Sequence, residues 1–181
     1  MKKEKLFIIV LAAVLLFGGA FKLYDELTKE HTVDAAGGEN QKVLAEDFTV
    51  YDKEGNEMKL SEYIGKPIVM NFWASWCTPC QIEMPEFDKV YQELGEEVEF
   101  LMINMTASGG ETVDRAQAFV DNGGYNFPIV FDTEHEAAAT YGSSALPTTF
   151  FIDKDGYVVN QIVGAINAET LKEGIEEILD E

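Results

Sequence analysis

The chain has 181 residues, 46% of them hydrophobic and 12% aromatic, which is enough for one well-packed domain with an extension. Its 33 acidic residues against 13 basic ones leave a formal charge of −20, which excludes nucleic acid as a partner because a phosphate backbone would be repelled. The acidic surplus reads as a solvated surface.

Residues 1–24 differ in character from the rest. Lys2, Lys3 and Lys5 precede an uncharged run from Leu6 to Phe21, the pattern of an export signal whose positive end stays in the cytoplasm. The run is shorter than the roughly 20 residues of a typical spanning helix. Lys5 and Lys22 can snorkel, however, and Leu23 and Tyr24 lengthen the apolar contact. The segment reads as an uncleaved signal anchor, single-pass with its N-terminus cytoplasmic. A cleaved signal, cut near Gly18-Gly19-Ala20, is the competing outcome. No cysteine follows the run, so a lipoprotein is excluded. Both outcomes carry the remainder out of the cytoplasm. Residues 25–41 are polar, contain Gly37-Gly38 and read as a flexible tether, leaving 42–181 as the folded domain.

Within that domain, Asp47 to Tyr51 alternates, Asp52 to Asn56 is turn material and Met58 to Leu60 resumes, which predicts an antiparallel hairpin. Ser61 is placed to cap a short helical turn ending at Gly65. Ile68 to Trp73 is apolar almost throughout, as a strand buried on both faces should be, and Glu83 to Leu94 has helical periodicity. Met84, Phe87, Val90, Tyr91 and Leu94 form its core stripe. Pro79 suits a first helical turn, whereas Pro85 lies inside the helix and predicts a kink.

Between that strand and helix lies Trp73-Ala74-Ser75-Trp76-Cys77-Thr78-Pro79-Cys80, which holds both cysteines of the chain. A helix N-terminus offers unpaired N–H groups and a positive dipole end, so it favours a thiolate. Cys77, at the edge of the turn, is the expected exposed nucleophile; Cys80, a turn deeper, is placed to resolve a mixed disulfide. The alternative, half a zinc site, requires more ligands than His31 and His135 supply, and neither looks paired with the motif.

Further along, Val98 to Met105 reads as a buried strand, so the Asn104-Met105-Thr106 sequon carries no weight. Glu111 to Val120 reads as a helix closed by Asn122-Gly123-Gly124, Phe127 to Phe131 as a short strand, and Thr133 to Tyr141 as a helix. A strand follows Leu146-Pro147-Thr148-Thr149, then a turn at Asp153 to Gly156, a strand from Tyr157 to Val163 and an amphipathic helix from Ala168 to Leu179. The order indicates an α/β layered domain with a mixed sheet.

The block from Asn71 through Pro85, together with Leu146-Pro147-Thr148-Thr149, resembles thioredoxin-fold proteins. More narrowly, residues 42–181 resemble the TlpA-like and ResA-like membrane-tethered thiol-disulfide oxidoreductases. The resemblance implies an α/β, thioredoxin-like three-layer fold: a central mixed β-sheet flanked by helices, with an N-terminal hairpin and a separate N-terminal membrane helix. It also implies a cis Pro147 facing the cysteines, with Leu146 turned outward to pair with an incoming polypeptide; the residues alone would equally fit an edge proline. Ordinary thioredoxins carry a buried aspartate where this chain has Asn71, and an amide cannot take a proton. Glu83, three residues after Cys80 on the same helical face and matched by a glutamate in the ResA-like proteins, is the candidate proton acceptor. The alternative is an acidic residue favoured by the helix dipole.

These readings converge on an extracytoplasmic thiol-disulfide oxidoreductase that needs no cofactor and no metal. Cys77, Cys80 and Glu83 would be catalytic, with Trp76, Thr78, Pro79, Leu146 and Pro147 meeting the substrate. Trp73 and Trp76 would wall the site, although Trp73 fits the core better. Thr78 and Pro79 add no positive charge, and Glu83 and Glu86 lie close, which disfavours the thiolate and points to a reductase. The expected partners are disulfide-bearing exported proteins, such as apocytochrome c or another envelope client, and a membrane electron donor of thiol-relay type. A copper-handling module on the same fold, a disulfide-forming oxidant and a peroxidase are the alternatives.

Overall fold

The computed structural model describes residues 43–180. The expected membrane segment and tether lie outside the described residues. The elements are β1 (Val43–Leu44), β2 (Thr49–Tyr51), β3 (Glu57–Lys59), a 3-10 turn (Leu60–Glu62), β4 (Ile68–Trp73), α1 (Thr78–Leu94), β5 (Glu99–Asn104), α2 (Val113–Gly123), β6 (Ile129–Phe131), α3 (Glu136–Thr140), β7 (Thr148–Ile152), β8 (Tyr157–Val163) and α4 (Ala168–Leu179). Among the described residues the strands make one mixed sheet in the order β1-β8-β7-β4-β5-β6-β2-β3. Central β4 runs parallel to β5 and antiparallel to β7, and all six of its residues are buried. That double burial explains its nearly unbroken apolar sequence.

Alternation along the strands sorts the two faces. Phe72 and Phe150 point to one side and gather with Tyr141, their rings 5.0–6.1 Å apart; Phe48 meets Tyr141 edge-on at 5.6 Å. Asn71, Thr149 and Phe151 point to the other, where α1 brings Glu83 to Asn71 and α4 brings Gly174 to Phe151. A Cβ on Gly174 would stand 2.4 Å from the Phe151 ring, so only glycine lets α4 lie this close to the sheet. On α1 the buried positions Cys80, Glu83, Met84, Phe87, Asp88 and Val90 recur at helical spacing and tie the motif to the core.

Several boundaries differ from the sequence reading, each for a local reason. The motif helix starts at Thr78, five residues before the apolar periodicity sets in, because Cys77 is itself the N-cap and Pro79 occupies the first turn. It runs through Pro85 without interruption as an element. The 3-10 turn is capped at Lys59; Ser61 instead donates from its N–H and hydroxyl to Asp47, at 2.9 Å each. Helix α2 begins at Val113, with Thr112 as N-cap accepting from the Arg115 N–H, which leaves Glu111 outside it. β6 begins two residues late, at Ile129, and α3 is shortened to Glu136–Thr140. The buried Asp132 carboxylate takes over the capping of α3, accepting from the Ala137 and Ala138 N–H groups at 3.3 and 2.9 Å.

Candidate active site

Strand β4 delivers the chain to the motif turn, and α1 carries it away. A disulfide joins Cys77 to Cys80, their Cα atoms 5.3 Å apart. The Cys80 N–H donates to Cys77 Sγ at 3.2 Å, so the helix N-terminus points a donor at the outer sulfur. Cys80 is fully buried, while Cys77 is only 5% exposed. The openly exposed Cys77 expected from the turn is therefore corrected. Its neighbours Trp76, Thr78 and Pro79 are exposed, and Cys77 reaches solvent along the groove that they line.

That groove has a volume of 780 Å³ and is mostly apolar in its lining. Trp76, Cys77, Thr78 and Pro79 line it together with Ala138, Ser143 and Leu146. The Leu146–Pro147 bond is cis, as the sequence reading expects. Leu146 lines the groove, whereas Pro147 is buried. Trp73 is fully buried and stacks obliquely on Phe119 at 5.7 Å, so it belongs to the core rather than to the wall of the site.

Glu83 occupies the interior behind the motif, 1% exposed. Asn71 Nδ2 donates to its Oε1 at 2.9 Å, and the Ile166 N–H donates to its Oε2 at 3.1 Å. Burial raises its pKa from 4.5 to about 7, and the two hydrogen bonds, which favour the anion, hold it from rising further. An acid with a folded pKa above its unfolded one is neutral in both states at low pH and costs stability once it must ionise. The folded state is therefore most favoured below about pH 4.5 as far as Glu83 is concerned, and loses that contribution as the pH rises through about 7. The gap corresponds to roughly 3 kcal/mol. Denaturant unfolding of the wild type and Glu83→Gln on both sides of this window should show the extra decline in the wild type alone; parallel pH profiles would contradict the buried titration.

Sequence reasoning missed the brace behind the turn. Glu111 is buried and accepts from both the Ser75 N–H and the Ser75 hydroxyl, the latter at 2.9 Å. Gln81 Nε2 donates to Ser75 O at 2.6 Å, and Trp76 Nε1 to Ser108 O at 3.2 Å. Gly109, with φ +60, runs so near Trp76 that a Cβ there would be 2.7 Å from the indole. Nothing local to Glu111 signals a partner 36 residues away. His135, which its local sequence does not tie to the motif, has φ 62 and lines the same groove as Cys77. Among the described residues, no group of three or more His, Cys, Asp or Glu side chains is arranged to hold a metal ion.

Comparison with known proteins gives a consistent picture. Residues 42–161 match the AhpC/TSA family model. The thiol-disulfide oxidoreductase ResA of Geobacillus thermodenitrificans is 37% identical over 183 residues, covering 98% of this chain and 99% of that protein. A candidate thiol:disulfide interchange protein DsbE from Chlorobium tepidum superposes with a TM-score of 0.66 at 29% identity, covering 78% of this chain and 99% of its own. StoA from Bacillus subtilis superposes with a TM-score of 0.64 at 27% identity, covering 74% and 98%.

Proposed function

Because this chain belongs to the AhpC/TSA family, has a thioredoxin-like fold and is a thiol-disulfide oxidoreductase of the ResA type, we propose that it is a membrane-tethered, extracytoplasmic reductase of disulfides in exported proteins. The observation that carries the reading is the Cys77–Cys80 pair at the N-terminus of α1, opening on an apolar groove and backed by a buried carboxyl group.

In the reduced protein the Cys77 thiolate, favoured by the Cys80 N–H and the helix N-terminus, attacks one sulfur of a client disulfide. A Cys77–client disulfide forms, and the other client sulfur leaves as a thiolate that takes a proton from water. Cys80 then gives its proton to the Glu83 carboxylate and attacks Cys77 Sγ. The second client thiolate leaves, the client has gained two electrons, and Cys77–Cys80 is oxidised. A Glu83 pKa of about 7 suits it to both accept and return a proton near neutral pH. Trp76, Thr78, Pro79 and Leu146 provide the apolar walls that hold the client polypeptide, with Pro147 setting the backbone behind Leu146. A membrane dithiol carrier restores the reduced pair, and apocytochrome c or another envelope protein is the client class.

Topology is tested with a membrane-impermeant maleimide on intact cells expressing the full-length protein, after mild reduction. Labelling of Cys77 without cell lysis is expected; labelling only after lysis would place the domain in the cytoplasm and overturn the extracytoplasmic reading.

A further inference from the structure

Asn71 interrupts the apolar run of β4 and is fully buried. Its Nδ2 donates to Glu83 Oε1 at 2.9 Å and to Thr149 Oγ1 at 3.0 Å, while its Oδ1 is buried with no hydrogen-bond partner among the described residues. An unpartnered acceptor in a core calls for an explanation. The surroundings of Glu83 supply one. Both carboxylate oxygens face N–H donors, Asn71 Nδ2 and the Ile166 N–H, and among the described residues neither oxygen faces an acceptor. A proton on Glu83 would therefore have no partner, yet burial favours the protonated acid.

A half-turn of the Asn71 amide resolves the conflict. Oδ1 would then lie between Glu83 and Thr149, accepting the acid proton from Oε1 and a second hydrogen bond from the Thr149 hydroxyl, which can donate as readily as accept. The number of hydrogen bonds is the same in both orientations, and the group left without a partner changes from Oδ1 to Nδ2. We propose that Asn71 is a positioning residue whose side-chain amide turns over as Glu83 gains or loses its proton, so that the carboxyl group is hydrogen-bonded in both charge states. An asparagine does this where an aspartate would compete with Glu83 for the proton. The proposal rests on the reading of Glu83 as the proton acceptor of the cysteine pair.

Few other ionisable groups bear on Glu83. On its own helix the buried ones are Cys80, joined to Cys77 in the disulfide, and Asp88, which accepts from the Asn126 amide groups, while Glu86 is half-buried and Lys89 and Glu93 are exposed. From α4, Lys172 is paired with Glu93 and Glu177 accepts from Asn160. Strands β4 and β7 contribute no ionisable side chain, and the shift of Glu83 draws on no charged neighbour.

The test is an NMR titration of the full-length, isotope-labelled, oxidised protein in detergent micelles from about pH 5 to about pH 9, bracketing the carboxyl midpoint. The Glu83 carboxyl carbon reports the proton, and cross-peaks from the Asn71 amide hydrogens to the Thr149 methyl report the orientation. Strong cross-peaks at high pH should weaken at low pH with the midpoint of the carboxyl carbon. Asn71→Leu should move that midpoint up by about one pH unit, because the charge-assisted bond to the anion is the stronger of the two lost. Should that variant fail to fold, the wild-type cross-peaks still decide. Cross-peaks that stay constant through the Glu83 titration, or a carboxyl carbon that does not titrate in the range, would overturn the proposal. The pH profile of exchange in Glu83→Gln tests the proton-acceptor reading separately.

Discussion

Cys80→Ser converts the protein into one that captures its client through Cys77 and cannot release it, whereas Cys77→Ser lowers exchange by about 1,000-fold or more. The asymmetry comes from placement. Cys77 borders the groove and retains some exposure; Cys80 is sealed beneath it and can meet only Cys77. With Cys80 gone, the mixed disulfide has no intramolecular attacker, so a non-reducing gel of cells expressing the full-length Cys80→Ser chain should show a client-sized shift that collapses with reductant. The Cys77→Ser chain should show no such band. Equal trapping by both variants would mean that the roles are shared or reversed.

Phe87→Ala should destabilise the domain by about 3–5 kcal/mol, the usual cost of emptying a fully buried aromatic site. Phe87 has no exposed surface and lies on the same buried stripe of α1 as Cys80, Glu83 and Met84. It therefore anchors the helix whose first turn holds the cysteines. Urea unfolding followed by circular dichroism measures the loss, and a change below about 1 kcal/mol would mean that α1 is not fastened to the sheet through this residue. Peptide exchange should slow in the same variant at temperatures where it remains folded, because a loosened α1 no longer aims the Cys80 N–H at Cys77 Sγ.

Elements whose pattern is written in their own residues were legible from the sequence. Strands β4 and β8 and helix α4 have the bounds that their periodicity predicts, since apolar runs and alternation answer directly to burial. The cysteine pair and the cis Leu146–Pro147 bond were likewise foreseen, one from spacing and the other from resemblance. What escaped depends on long-range contacts. Glu111 has the local context of a helix start, yet its carboxylate serves Ser75 across the fold. His135 sits before an alanine-rich helix, and only the path of the chain through Asp132 and His135 brings it to the groove. Ser61 looks like a cap and is instead held by Asp47. In each case the partner is remote in sequence, and no periodicity encodes it.

The reduction potential of the Cys77–Cys80 couple in the full-length protein, obtained by thiol trapping across redox buffers, tests the direction of electron flow most directly. A value of about −220 mV or lower, toward thioredoxin, is predicted for a reductase with no positive side chain in its motif and a buried carboxyl group behind it. A value near about −120 mV would make the protein a disulfide-forming oxidant and contradict the proposed direction of electron flow.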